Sequence, residues 1–274
     1  MLVTLREILP AARREHRAIG GFNIGNYETA LAVLRGAVAA NQPVIVQIYA
    51  RLVANGHGEP LAAMVRQMAE AAPIPVVLHL DHGADLAQVE RALKAGFTSV
   101  MLDNSQESYA DNVAATKRVV ELARQYGASV ESEIGHVPFG DDAIAKSQED
   151  ETVRFYEETK VDALAVSIGT AHGFYKQAPK LNYELCSALA AKIPAPLVLH
   201  GGSGTPRDQV REVIRRGIAK INVATEFQYD YQQKLRARLN EVGDAFKAAD
   251  LLEAPVVETS TAFIKEMIEF FAGK

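Results

Sequence analysis

The sequence contains one cysteine, Cys186, and no tryptophan. A single thiol excludes an internal disulfide framework and any cysteine-rich zinc module. Without tryptophan, the core must be assembled from Val, Ile, Leu and Ala with a few Phe and Tyr. No long run of Lys and Arg occurs and the net charge is −5, so the basic face that nucleic acid or an anionic membrane demands is missing. Charges interrupt every candidate 18-residue apolar window, which argues against a membrane-spanning helix. Residues Met1 to Glu7 carry neither an unbroken apolar stretch nor a small-residue cleavage site, so a cytoplasmic soluble protein is expected. With 274 residues, 48% apolar and 23% charged, the chain is long enough to bury a core without staples.

Eight short β-branched runs are spaced along this chain, at 18–24, 43–49, 75–81, 98–103, 128–134, 162–168, 196–200 and 219–223. Several are almost continuously apolar, as parallel strands covered on both faces must be. Good helix formers lie between them, including Tyr27 to Ala40, Asn112 to Tyr126 and, after Thr205-Pro206, Asp208 to Arg216. Eight β and α units in alternation predict an α/β fold, a closed (β/α)8 barrel built as a single domain over 1–274. An open doubly wound sheet is the competing architecture, because the same crossovers build both. Residues 136–150 are long, polar and irregular for a βα connection and read as a mobile loop. Residues 233–274 read as two C-terminal helices whose apolar stripes serve packing.

Barrel chemistry gathers at the C-terminal ends of the strands, and polar residues recur there. Strand three ends in His79-Leu80-Asp81-His82 and strand four in Asp103; strand five carries Glu131 and Glu133 on one face. Strand six leads into Gly169-Thr170-Ala171-His172-Gly173, strand seven ends His200-Gly201-Gly202-Ser203-Gly204, and strand eight runs into Asn222-Val223-Ala224-Thr225. A single strand-end histidine is most often structural, and His16 and His57 read as surface residues. Three at equivalent strand ends beside acidic residues instead fit a metal centre, since imidazoles around an open fourth position are what a catalytic zinc uses. The glycines at 201–204 can converge backbone N–H groups on an anion, and their place beside strand eight points to a phosphate.

HLDHG at 79–83, VESEIG at 130–135, GTAHGFYK at 169–176, LHGGSG at 199–204 and KINVATE at 220–226 together resemble the class II, metal-dependent fructose/tagatose-bisphosphate aldolases. GFNIGNYE at 21–28 and SVMLDNS at 99–105 fit as well, and the likeness runs to about residue 230. The resemblance implies Zn2+ held by His82, His172 and His200, with Asp103 and Glu133 near an alternative metal position, and a monovalent cation as a further cofactor. It implies Asp81 as the acid/base on the C4 hydroxyl of a ketose. Gly173, Gly201, Gly202, Ser203, Asn222, Val223, Ala224 and Thr225 would hold dihydroxyacetone phosphate, with Lys176 as helper. The expected partner is a small sugar phosphate, handled by a homodimer or homotetramer. The expected reaction is reversible C3–C4 cleavage, in which a Lewis-acidic metal stabilises the electron pair left beside the carbonyl.

Three departures from the family stand out. Its loop after strand five reads as two glycines, one residue, then Glu-Asp; here Pro138-Phe139-Gly140-Asp141-Asp142 puts Asp141, one methylene shorter, at the expected glutamate. Strand two lacks the serine that faces the aldehyde half and runs Gln47-Ile48-Tyr49-Ala50-Arg51, and the C-terminus lacks the Asp-Pro-Arg segment linked to the sugar's far phosphate. Both losses lie on the aldehyde side, so the substrate is expected to differ there from fructose 1,6-bisphosphate. Arg51, with Tyr49, is the candidate to hold an anionic group on the aldehyde. Two alternatives compete: a Schiff-base aldolase using Lys176 or Lys220, and a non-catalytic sugar-phosphate-binding barrel.

Overall fold

A computed structural model describes residues 1–135, 149–173, 175 and 177–274. The chain begins with α1 (Leu5–Arg14), then β1 (Ile19–Asn23), α2 (Tyr27–Ala40), β2 (Val44–Tyr49), α3 (Ala50–Ala54), α4 (Gly58–Ala71) and β3 (Val76–Gly83). It continues through α5 (Leu86–Lys94), β4 (Ser99–Leu102), α6 (Tyr109–Gln125), β5 (Ser129–Ile134), α7 (Glu149–Thr159) and β6 (Ala163–Val166). The remaining elements are α8 (Tyr183–Lys192), β7 (Leu197–Leu199), α9 (Arg207–Arg215), β8 (Ile218–Val223), α10 (Thr225–Val242) and α11 (Ala249–Phe271). Every strand pair is parallel, and β1 closes on β8 through Ile19↔Lys220 to Phe22↔Val223. The sheet is therefore a closed barrel, and the open doubly wound alternative is excluded.

Alternation along the strands divides the barrel into two layers. Val44, Val46 and Ile48 of β2, Val76, Leu78 and Leu80 of β3, and Val130 and Ile134 of β5 face out into the apolar shell beneath the helices. The intervening residues face in. At the N-terminal end these are apolar: Ile19, Ile45, Val77, Ala163, Ala165 and Val198. Leu5, Ile8, Leu9 and Ala12 of α1 pack onto them at i, i+3, i+4, i+7 spacing and close the barrel floor. The strands' other ends turn polar inside, with Gln47, His79, Asp81, Glu131, Glu133, Lys220 and Asn222 all buried.

The floor is thus shut by hydrophobic packing and the opposite mouth is left for chemistry. Gly21 keeps room for that polar layer, since a Cβ there would lie 2.2 Å from Gln47 Oε1. The predicted strands stand close to their observed bounds. The tail differs: α10 starts at Thr225 directly after β8, not near 233, and α11 packs across α2. Residues 136–148 of the expected loop lie outside the described residues, whereas Glu149 and Asp150 belong to α7. No described helix is long and apolar enough to cross a membrane.

Candidate active site

Strict alternation would send Asp81 into the barrel and His82 out of it. The structure brings both into the mouth. The β3–β4 register shifts between Leu80 and Gly83, and His82 takes a left-handed backbone, φ 51°. A non-glycine residue rarely adopts that conformation, and a bulge is a common device for re-aiming a side chain. His82 then meets His172, which follows β6, and His200, which follows β7, with ring centroids 5.1 and 4.8 Å away. His172 and His200 are 5.8 Å apart. Each of the three offers a nitrogen, and these nitrogens all lie within 4.8 Å of one another. His82, Asp103 and Glu133 form a second, overlapping group by the same measure. All five residues expected around a metal are therefore brought together.

The surroundings of these side chains are built to hold positive charge. His200 is fully buried; its Nε2 donates to Glu131 Oε1 at 2.8 Å and its Nδ1 lies 3.2 Å from Glu133 Oε2. Burial opposes protonation of His200, but the two glutamates outweigh it and raise its pKa to about 10. Burial and the neighbouring His200 and His82 instead lower His172 to about 4, leaving it the neutral imidazole a metal requires. His82 Nδ1 donates to Asp103 Oδ2 at 2.7 Å, a carboxylate–histidine pairing of the kind that orients a metal ligand. Burial also opposes ionisation of Asp103, yet its hydrogen bonds from His82 and Ser105 hold it well below the usual carboxylate range. Three imidazoles whose ligand atoms lie within 4.8 Å of one another, backed by carboxylates, fit a divalent ion.

Asp81 is clamped from both sides. Asn23 Nδ2 donates to its Oδ2 at 2.7 Å and Asn222 Nδ2 to its Oδ1 at 3.2 Å. Gln47 Nε2 in turn holds Asn23 Oδ1 at 2.9 Å. Burial raises the pKa of Asp81, but His82, His200 and Lys220 overcome it, so the group is held below its ordinary value as a carboxylate. Behind Asn222 lies Lys220, whose Nζ donates to Asn222 Oδ1 at 2.7 Å and pairs with Glu131 Oε2 at 2.8 Å. His79, lowered to about 3 chiefly by burial and by Lys220, completes this buried layer through Ser99 Oγ at 2.8 Å. Asn23, Gln47 and His79 join the site without a sequence-based expectation, although their inward parity on β1, β2 and β3 marks them.

Above the layer opens a cleft of about 480 Å3. Asp81, His82, Asp103, His172, Gly173, Gly201, Ser203, Asn222, Ala224, Thr225, Arg51 and Tyr49 line it as expected, joined by Gln106 and Gln228, for which the sequence raised no expectation. Two expected ligand-binding residues fall elsewhere. The Val223 side chain is buried in the outer apolar shell, because it follows inward-facing Asn222, and Gly202 lines a separate, smaller cavity beneath the glycine loop. Lys176 and Asp141 lie outside the described residues. Lys220 is corrected as a Schiff-base candidate, since it is wholly buried in its ion pair and does not line the cleft. The glycine loop is fixed by Tyr175, whose hydroxyl is 2.8 Å from Ala171 O and 2.9 Å from Gly201 O. Gly201 has φ +65°, and a Cβ on it would lie 2.3 Å from Ala171 O. The first turn of α10 starts at Thr225 on the cleft wall, and its backbone N–H groups and dipole favour an anion.

The same pattern recurs in known proteins. The family model for class II fructose-bisphosphate aldolase matches residues 3–274. A 6-phospho-5-dehydro-2-deoxy-D-gluconate aldolase of Bacillus subtilis is 37% identical over 99% of this chain and 97% of its own length. A sulfofructosephosphate aldolase of Alkalicoccus urumqiensis is 34% identical over 98% and 96%. The crystal structure of the YdjI aldolase from Escherichia coli K12 superposes with a TM-score of 0.89 at 32% identity, covering 99% of this chain and 97% of that one. With the family pattern matched from residue 3 to the C-terminus and the whole barrel shared with a solved aldolase, the chain belongs to the class II fructose-bisphosphate aldolase family.

Proposed function

We propose that the protein is a zinc-dependent aldolase that reversibly splits the C3–C4 bond of a ketose 1-phosphate into dihydroxyacetone phosphate and an aldehyde. The observation that carries this reading is a doubly clamped, ionised Asp81 beside three convergent histidines in one cleft. His82, His172 and His200 would hold the ion, with Asp103, Glu131 and Glu133 supporting them. Bound there, zinc supplies Lewis acidity to the ketose's carbonyl and hydroxyl oxygens.

The chain's own residues do the rest. Asp81 takes the proton from the C4 hydroxyl as the C4–O bond becomes the aldehyde carbonyl; the C3–C4 electron pair stays on C3, conjugated with the C2 carbonyl, until a proton from solvent is added to C3 to complete dihydroxyacetone phosphate and Asp81 gives its own proton back to solvent. In the condensation direction Asp81 returns that proton. Asn23 and Asn222 prevent the carboxylate from rotating, which keeps one oxygen aimed at the hydroxyl. The phosphate would lie among Gly173, Gly201, Ser203, Ala224 and Thr225, where backbone N–H groups supply the donors. The relatives' names specify a phosphorylated gluconate and a sulfonated fructose phosphate, which favours a non-standard aldehyde half here too.

The Schiff-base reading loses its described lysine to the ion pair with Glu131, and a merely binding barrel has no use for a clamped carboxylate. Asp81→Asn tests the assignment. It should retain metal and dihydroxyacetone phosphate yet lose C–C bond formation by about 10² to 10⁴, the usual worth of a positioned base. Loss of metal in step with activity would make Asp81 a support for the metal site instead.

A further inference from the structure

The glycine loops and α10 occupy the side of the mouth formed by β6, β7 and β8, so the aldehyde must extend toward β2, β3 and β4. On that side Tyr49 pairs in register with Asp81, and its ring centroid is 5.9 Å from that of His82. The guanidinium carbon of Arg51 lies 5.8 Å from the Tyr49 ring centre. Arg51 is therefore within about 12 Å of the His82 ring, at the far end of a short molecule reacting at Asp81. No carboxylate among the described residues pairs with it. Of the described residues lining the cleft, it is the only Lys or Arg, and the acidic side chains Asp81 and Asp103 line the same cleft.

We infer that Arg51, stacked on Tyr49, selects aldehydes ending in a singly charged acid group, a carboxylate or a sulfonate, over phosphate-ended ones. The inference rests on the aldolase reading and specifies its substrate class. One guanidinium balances one negative charge, and its planar fork matches the two oxygens of such a group. A phosphate monoester carries about −1.5 to −2 at neutral pH. Its second negative charge would find no second Lys or Arg among the described residues that line the cleft. The phosphate of the donor half has no such need, because backbone N–H groups receive it.

Condensation with dihydroxyacetone phosphate tests this, using succinic semialdehyde, a sulfonate-ended aldehyde, glyceraldehyde 3-phosphate and neutral 4-hydroxybutanal. Wild type should give the highest kcat/KM with the carboxylate- or sulfonate-ended aldehyde. Arg51→Gln should lower the ratio of acid-ended to neutral kcat/KM by about 10- to 100-fold, the worth of hydrogen bonds to a charged group. Arg51→Lys should recover part of that ratio, since it keeps the charge and loses the fork. A wild-type preference for the phosphate-ended aldehyde, or an unchanged ratio in Arg51→Gln, overturns the inference and leaves the aldolase reading standing. Absence of both condensation and solvent-proton exchange into dihydroxyacetone phosphate overturns the aldolase reading, and the inference with it.

Discussion

Replacing Lys220 by methionine removes the cation at the centre of the buried polar layer. Its Nζ lies 2.8 Å from Glu131 Oε2 with both side chains wholly buried. At that distance, an effective dielectric of about 20 gives a gross attraction of roughly 6 kcal/mol, most of which offsets the desolvation of the two charges. Removing one partner leaves the other buried and uncompensated, which costs about 3–5 kcal/mol. For a chain of this size that corresponds to a fall in Tm on the order of 10 °C.

Glu131→Gln should cost a similar amount, and the double variant should be more stable than the summed losses by about 2–3 kcal/mol, because the charges leave together. Chelator-treated protein is the proper sample, so that metal occupancy does not enter through His200. Burial raises the pKa of Glu131, but Lys220, His200 and His79 outweigh it and hold it below the usual glutamate value. A depressed carboxylate pKa contributes stability that is present above the unfolded value and is lost as pH falls toward the folded one. The gap between wild type and Lys220→Met should therefore be constant near neutrality and narrow in acid. Urea unfolding of the four proteins from pH 7 down to pH 3 measures all of this, since the narrowing begins only below the unfolded glutamate pKa of about 4.3. Additive losses, or a Lys220→Met protein within about 1 kcal/mol of wild type, would refute the reasoning.

Two further substitutions probe the mouth. His200→Ala should weaken zinc binding by more than the about 10–100-fold that a merely supporting residue is worth, read by elemental analysis after dialysis; full metal retention would remove His200 from the ligand set. Gly201→Ala forces a side chain into a left-handed backbone and against Ala171 O. It should cost at least about 1–2 kcal/mol and raise the KM for dihydroxyacetone phosphate; wild-type stability and KM would contradict the account of the glycine loop.

The barrel was legible because its strands are near-continuous apolar runs separated by helical spacing, and α2 starts and stops where its pattern does, at Tyr27 and Ala40. The floor helix α1 precedes the first βα unit and so stands outside the alternating pattern, although Leu5, Ile8, Leu9 and Ala12 form a helical face. The histidines were readable as strand-end residues. What strand parity hides is that Asp81 and His82 act side by side, since the bulge and the positive φ at His82 are backbone events without a sequence signature. Lys220 misled for a related reason: a lysine near a strand end reads as a nucleophile until Glu131, 89 positions earlier in the chain, is seen to share its layer.

Activation of dihydroxyacetone phosphate by a divalent ion bound in this cleft, and not by a lysine, is the property on which the proposed function turns. Deuterium exchange into C3 of dihydroxyacetone phosphate, followed by proton NMR in D2O, tests it without knowledge of the aldehyde. The native protein should exchange one proton, lose that exchange after chelation, and regain it when zinc is added. Exchange that survives chelation and is abolished by borohydride trapping would contradict the proposed function.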